Sequence, residues 1–110
     1  MALFTMRLNR VEDVIVKNGD KEFVIKAKVD TGADRTSIDQ GLINELGLEL
    51  LSETKTFKSA NGVNVRPLVK LSYLLKDKLI ETKASVSDRS RMSYQMIIGC
   101  NDLKGCSVMV

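Results

Sequence analysis

Apolar and polar residues alternate with a period of two along most of this chain, the mark of strands that bury one face. Apolar stretches at 14–16 and 23–29 flank Lys17-Asn18-Gly19-Asp20. Asn18-Gly19 predicts a hairpin turn, because both residues tolerate positive φ. In the second strand Phe23, Ile25, Ala27 and Val29 share one face, and Lys26 and Lys28 take the other. The period then changes. Asp39 can cap a helix, Leu42, Ile43 and Leu46 form its apolar stripe, and Gly47 ends it. Strands resume at 48–57, followed by a turn at Ser59-Ala60-Asn61-Gly62. Residues 67–75 place Val69, Leu71, Tyr73 and Leu75 on one side, and Lys76-Asp77-Lys78 turns the chain. In 79–86, Ile80, Ala84 and Val86 face one way, and Glu81, Lys83 and Ser85 the other. Residues 88–92 read as a polar loop, 95–98 as a buried strand stopped by Gly99, 101–104 as one helical turn and 106–110 as a terminal strand. Many short strands between frequent turns predict a small sandwich or barrel. With 110 residues and no linker or repeat, a single domain over 1–110 is expected.

Composition narrows the chemistry. Apolar residues are 44% of the chain, enough for one core. Seventeen basic and 14 acidic side chains leave a net charge of +3, which is no footprint for nucleic acid. Trp is absent, and three Phe and two Tyr supply few stacking platforms for bases. His is absent too, which removes the Ser-His-Asp triad, the Cys-His pair and imidazole bases. It also argues against zinc hydrolysis, and two cysteines, Cys100 and Cys106, cannot make a zinc site alone. These cysteines read as small apolar residues. No signal peptide and no membrane-spanning run are apparent, so a cytoplasmic protein without a membrane partner is expected. Carboxylates remain as the natural acid–base groups.

One stretch stands out: Lys28-Val29-Asp30-Thr31-Gly32-Ala33-Asp34. A buried strand runs directly into Asp-Thr-Gly, which places a carboxylate on a rigid element at the rim of the core. Thr31 can lock the turn, and Gly32 permits close approach of backbone or ligand. An Asx turn at a strand end is the plain alternative. The tetrapeptide Asp-Thr-Gly-Ala would occur by chance in a chain this long on the order of once in a thousand.

Asp30-Thr31-Gly32-Ala33 after an apolar strand resembles the active-site signature of the retropepsin-like aspartic peptidases. Ile97-Ile98-Gly99 resembles the apolar-apolar-Gly triplet that closes a ψ-shaped loop around that signature. Ser59-Ala60-Asn61-Gly62 falls where the family carries its flap tip, and 106–110 where a terminal strand joins the dimer sheet. Ser87-Asp88-Arg89-Ser90-Arg91-Met92 is similar to a prokaryotic branch labelled ATP-dependent zinc proteases, often found beside ribosomal-protein glutamate ligases. That label suits the chain poorly, since it lacks His and a Gly-rich phosphate loop. The resemblance spans roughly residues 23–110. One position departs from it: where the family has Arg after the closing Gly, this chain has Cys100, although its usual partner Asp34 is present. Arg7, Arg35 or Arg66 are the candidates to replace that arginine.

The resemblance implies a mainly β, small closed acid-protease barrel with one short helix and a flap hairpin. It implies Asp30, Thr31 and Gly32 as catalytic residues. Ala33, Asp34, Ala60, Asn61, Gly62, Ile97, Ile98 and Gly99 would bind the substrate. No metal and no cofactor are expected. Aspartic peptidase chemistry needs two facing carboxylates that share a proton, one activating water and the other protonating the carbonyl. The chain offers Asp-Thr-Gly once, and Asp34, Asp39, Asp88 and Asp102 suit capping or surface solvation better. The resemblance therefore implies a homodimer acting on a peptide or protein substrate. The alternatives are a retropepsin-like peptide-binding module with weak or no activity, favoured by Cys100, and a metal hydrolase.

Overall fold

A computed structural model describes residues 6–108. Its strands are β1 (Met6–Leu8), β2 (Val11–Asn18), β3 (Lys21–Val29), β4 (Ser37–Asp39), β5 (Leu50–Ser59), β6 (Gly62–Leu75), β7 (Lys78–Ser87), β8 (Met96–Ile98) and β9 (Cys106–Val108), with helix α1 (Gln40–Leu46) after β4. The large sheet runs β2-β3-β8-β4-β7-β6-β5, and β2 also pairs with β6. That extra pairing closes six strands into a barrel and leaves β5 as an arm bonded to β6. Closure removes the sheet edges that would otherwise stand open. The expected mainly β barrel with one short helix is thus observed.

The barrel interior follows from the alternation. Val69, Leu71, Tyr73 and Leu75 are each fully buried and share one core with Val14, Val16, Ala27 and Ile98. Helix α1 lays Leu42, Ile43 and Leu46 on this core. Asp39 caps it by accepting from the Gly41 N–H, and Gly47 ends it at φ 67, a left-handed conformation cheap for glycine.

Several expectations change. Strands β1 and β4 were not foreseen; each has three residues and exists through pairing with a distant partner. Strand β6 begins at Gly62 and not at residue 67, because it continues along β5. The hairpin turn is Ala60-Asn61, with Ser59 paired to Gly62 at φ 123. The helical turn is a 3-10 turn at Cys100–Asp102. Of the terminal stretch 106–110, residues 109–110 lie outside the described residues, and β9 pairs with β1 of the same chain. Ser85, expected on the outer face, is buried, and it borders a cavity lined also by Phe57, Arg66 and Arg89. Cys100 is exposed and does not behave as a core residue.

Candidate active site

Asp30 is the first residue past β3. Its N–H donates to the Ile98 carbonyl at 2.9 Å, and its Oδ1 accepts from the Gly32 N–H at 3.0 Å. Its own carbonyl accepts from Ala33 N–H at 3.2 Å, which tightens the loop into a turn. The side chain is half-buried, while Thr31 and Gly32 are exposed. Asp30, Thr31 and Gly32 therefore present a carboxylate, a hydroxyl and a bare backbone at the surface.

The loop gains its rigidity from β8. That strand inserts between β3, parallel, with Val29 opposite Ile98, and β4, antiparallel, with Ser37 opposite Ile97. Beyond Ile98 the chain threads under the 30–36 loop. Cys100 N–H donates to the Ala33 carbonyl at 2.7 Å, Asn101 N–H to the Asp34 carbonyl at 2.9 Å, and Gly99 N–H to Thr36 Oγ1 at 3.1 Å. The crossing is close. A Cβ on Gly99 would fall on the Arg35 backbone, 2.6 Å from its oxygen, and the backbone there cannot yield as a side chain would. Gly99→Ala is expected to cost about 3 kcal/mol. A circular-dichroism melt should show a fall of roughly 10–20 °C. An unchanged melt would mean that the crossing is looser than described.

Below the loop lies a polar group that the alternation pattern gave no reason to expect. Asp102 is buried, contrary to its expected place at a cap or in solvent. Its Oδ2 accepts from Thr36 Oγ1 at 2.5 Å and from the Tyr73 phenol at 2.8 Å. The Thr36 hydroxyl, having donated to Asp102, is turned to accept the Gly99 N–H. Burial, and then the neighbouring Asp102, push the Tyr73 phenol above its ordinary range. The usable signal was Tyr73 on the apolar face, since a buried phenol needs a partner.

The remaining carboxylates have separate tasks. Asp39 accepts from Gly41 N–H and, at 2.6 Å, from Arg89 N–H. Asp88 accepts from the Ser90 hydroxyl and N–H, which hold its exposed carboxyl below the usual range. Among the described residues Asp34 has no ion-pair partner: Arg35 donates to the Lys83 carbonyl, and Arg66 lies 4.8 Å from the Phe57 ring centre. The residues present do not fit the zinc of the bacterial label. The chain has no His, and among the described residues no three Cys, Asp or Glu side chains converge.

Two cavities adjoin the loop. One, of about 640 Å³, is bounded by Asp30, Thr31, Cys100, Lys28, Arg10 and the β9 end of the small ribbon, among others. The other, of about 270 Å³, lies between the loop (Ala33, Asp34, Arg35), Ile97, Ser37 and Ser85, and the hairpin's Phe57 and Arg66, with Arg89 closing it. Ile97 thus faces a cavity, whereas Ile98 is in the core. The hairpin tip, Ala60, Asn61 and Gly62, is exposed and lines neither cavity; it is Phe57 and Arg66, nearer the base, that share a space with the loop.

Over residues 13–105 the sequence matches the family described as "gag-polyprotein putative aspartyl protease". No curated protein sequence matches the chain. Among solved structures, EIAV protease complexed with the inhibitor HBY-793 superposes with a TM-score of 0.66 at 17% identity, covering 91% of each chain. Lpg0085 of Legionella pneumophila, a protein of unknown function (DUF785), gives 0.64 at 20% identity over 94% of this chain and 92% of that one. The simian foamy virus (mac) protease gives 0.61 at 17% identity over 84% and 89%. With the Asp-Thr-Gly loop, the β8 insertion and a family match covering most of its length, the chain belongs to the gag-polyprotein aspartyl protease family, within the retropepsin-like superfamily.

Proposed function

We propose that the chain is an aspartic endopeptidase that acts as a homodimer, with Asp30 of each copy facing the other across a two-fold axis. One observation carries this reading: Asp30 is the sole acid among the residues lining the 640 Å³ cavity into which it opens. A second carboxylate then has to come from another chain, and two-fold symmetry supplies it without further residues. The two carboxyls share one proton, because like charges so close cannot both ionise. The ionised oxygen accepts a proton from a bound water as that water attacks the peptide carbonyl. The protonated partner donates to the carbonyl oxygen, giving a tetrahedral diol, and proton transfer to the amine nitrogen then completes cleavage. Thr31 braces the paired loops, and Gly32 offers its backbone to them or to the peptide. Ala33, Asp34, Ile97 and the Gly99 crossing form the cleft wall, with Ile98 fixing it from the core. The β5–β6 hairpin closes over the extended peptide through Ala60, Asn61 and Gly62.

Subunit mixing tests the shared site. With a ninefold excess of Asp30→Asn protein, random pairing leaves about one tenth of wild-type subunits in wild-type dimers, so activity per wild-type chain should fall about tenfold. Activity that stays proportional to wild-type chain alone would defeat the shared site. A second reading, a peptide-binding module without turnover, is favoured by Asp34, which has no ion-pair partner among the described residues, and by Cys100 after the closing glycine. Peptide binding with no cleavage by the wild type at any pH would select it.

A further inference from the structure

The 270 Å³ cavity beside the loop gathers three arginines from separate parts of the chain: Arg35, Arg66 and Arg89. Each is held in place by something other than an acid. Arg35 donates to the Lys83 carbonyl at 2.8 Å, Arg89 Nε donates to the Tyr94 carbonyl at 3.0 Å, and Arg66 lies over Phe57. The ion pairs among the described residues are Lys17–Glu22, Lys26–Asp13 and Lys83–Glu53, and none reaches this cavity. Asp34 is also on the wall, but it is exposed and lies beyond ion-pair distance of all three. Burial lowers the Arg89 guanidinium from its usual value, Asp30 and Asp39 raise it, and the nearby Arg66 lowers it again. Like charges collected in a half-enclosed space are unfavourable unless an anion joins them. Guanidinium groups bind carboxylates through paired N–H donors, and the Ser37 and Ser85 side chains share the same wall.

We infer that this cavity is a specificity pocket for an acidic side chain, Glu or Asp, of an extended peptide. The inference rests on the peptide-cleft reading above, since Ala33, Asp34 and Ile97 place the pocket next to Asp30's loop. In a two-fold dimer the pocket occurs twice. The preferred substrate then carries an acidic residue on each side of the cleaved bond, at matching positions.

The test uses short fluorescein-labelled peptides of Val and Ala, scanned one position at a time with Glu or Gln. Binding is read by anisotropy on Asp30→Asn protein, and cleavage on wild type. A Glu-over-Gln preference of about tenfold or more is expected at a defined position, the strength of a hydrogen-bonded charge pair. It should fall to near one in Arg66→Gln, and Arg66→Glu should favour Lys at that position. Arg89→Gln is the second variant, and because each ratio is taken within one protein, a loss of stability does not mimic the result. No Glu preference, including no binding at all, overturns the pocket. So does a preference that survives both arginine replacements. Glu-selective binding without cleavage by wild type would keep the pocket and reject the peptidase, whereas cleavage indifferent to Glu would do the reverse.

Discussion

Asparagine at position 30 is expected to lower peptide cleavage by about three to four orders of magnitude while leaving the fold intact. The fold should survive because the internal task of the Asp30 side chain is to accept the Gly32 N–H at 3.0 Å, and an amide oxygen accepts equally well. The side chain is half-exposed, so the change leaves no charge or donor stranded in the core. The chemistry should not survive, because a carboxamide cannot take a proton from water at ordinary pH. Cleavage of a peptide library by wild type and variant, followed by mass spectrometry from acid to neutral pH, reads the loss. A melt of each protein should agree within a few degrees. Wild-type turnover should also be indifferent to a chelator. Retention of more than a tenth of the activity in Asp30→Asn would move the reaction to another group, and chelator sensitivity would point to a metal hydrolase instead.

The largest effect on stability is expected at Asp102. Asp102→Ala leaves the Thr36 hydroxyl and the Tyr73 phenol in the core without their acceptor and frees the hydroxyl that receives Gly99 N–H. Two orphaned donors and an opened cavity should cost about 3–5 kcal/mol, a large part of the stability of a domain this size. Tyr73→Phe should cost about 1–2 kcal/mol, since Asp102 keeps Thr36. The double variant should be less damaged than the sum of the two, because the phenol that Asp102→Ala orphans is already gone. Denaturant titration of all four proteins gives the coupling, and strict additivity would mean that the Tyr73–Asp102 bond contributes little. The pH dependence has a defined sign. Burial and Asp102 raise the Tyr73 phenol above its ordinary value of 10.0, so the folded chain keeps a proton that the unfolded chain releases. Its contribution is complete below about pH 10 and is lost as pH rises further. Tyr73→Phe should therefore flatten the alkaline decline.

How far these features were legible depended on how local their causes are. The barrel wall was readable in β6, where Val69, Leu71, Tyr73 and Leu75 alternate and are all fully buried. Helix α1 was readable because Asp39 and Gly47 act within one turn of its ends. The loop and its closing triplet were readable as peptide strings, 30–33 and 97–99. Strands β1 and β4 were not, since three residues carry no periodicity and their register is set by β9, β7 and β8. The start of β6 escaped for another reason: Val63 and Val65 are both exposed, so no buried face marks that arm. Asp102 and the arginine cavity are products of closure. Residues 36, 73 and 102, or 35, 66 and 89, have no spacing that announces their meeting.

The β8 crossing has a consequence for when the site is assembled. Thr36 meets Gly99 and Asp102 across 63 and 66 residues of chain, so the floor beneath Asp30 is built from contacts of very high sequence separation. Such contacts form late, after most of the loop-closure entropy has been met. A nascent chain that has not yet released residue 102 holds the Asp-Thr-Gly tripeptide but not the support beneath it. In the proposed peptidase, competence for hydrolysis therefore arrives only with the floor that residues 99–102 supply.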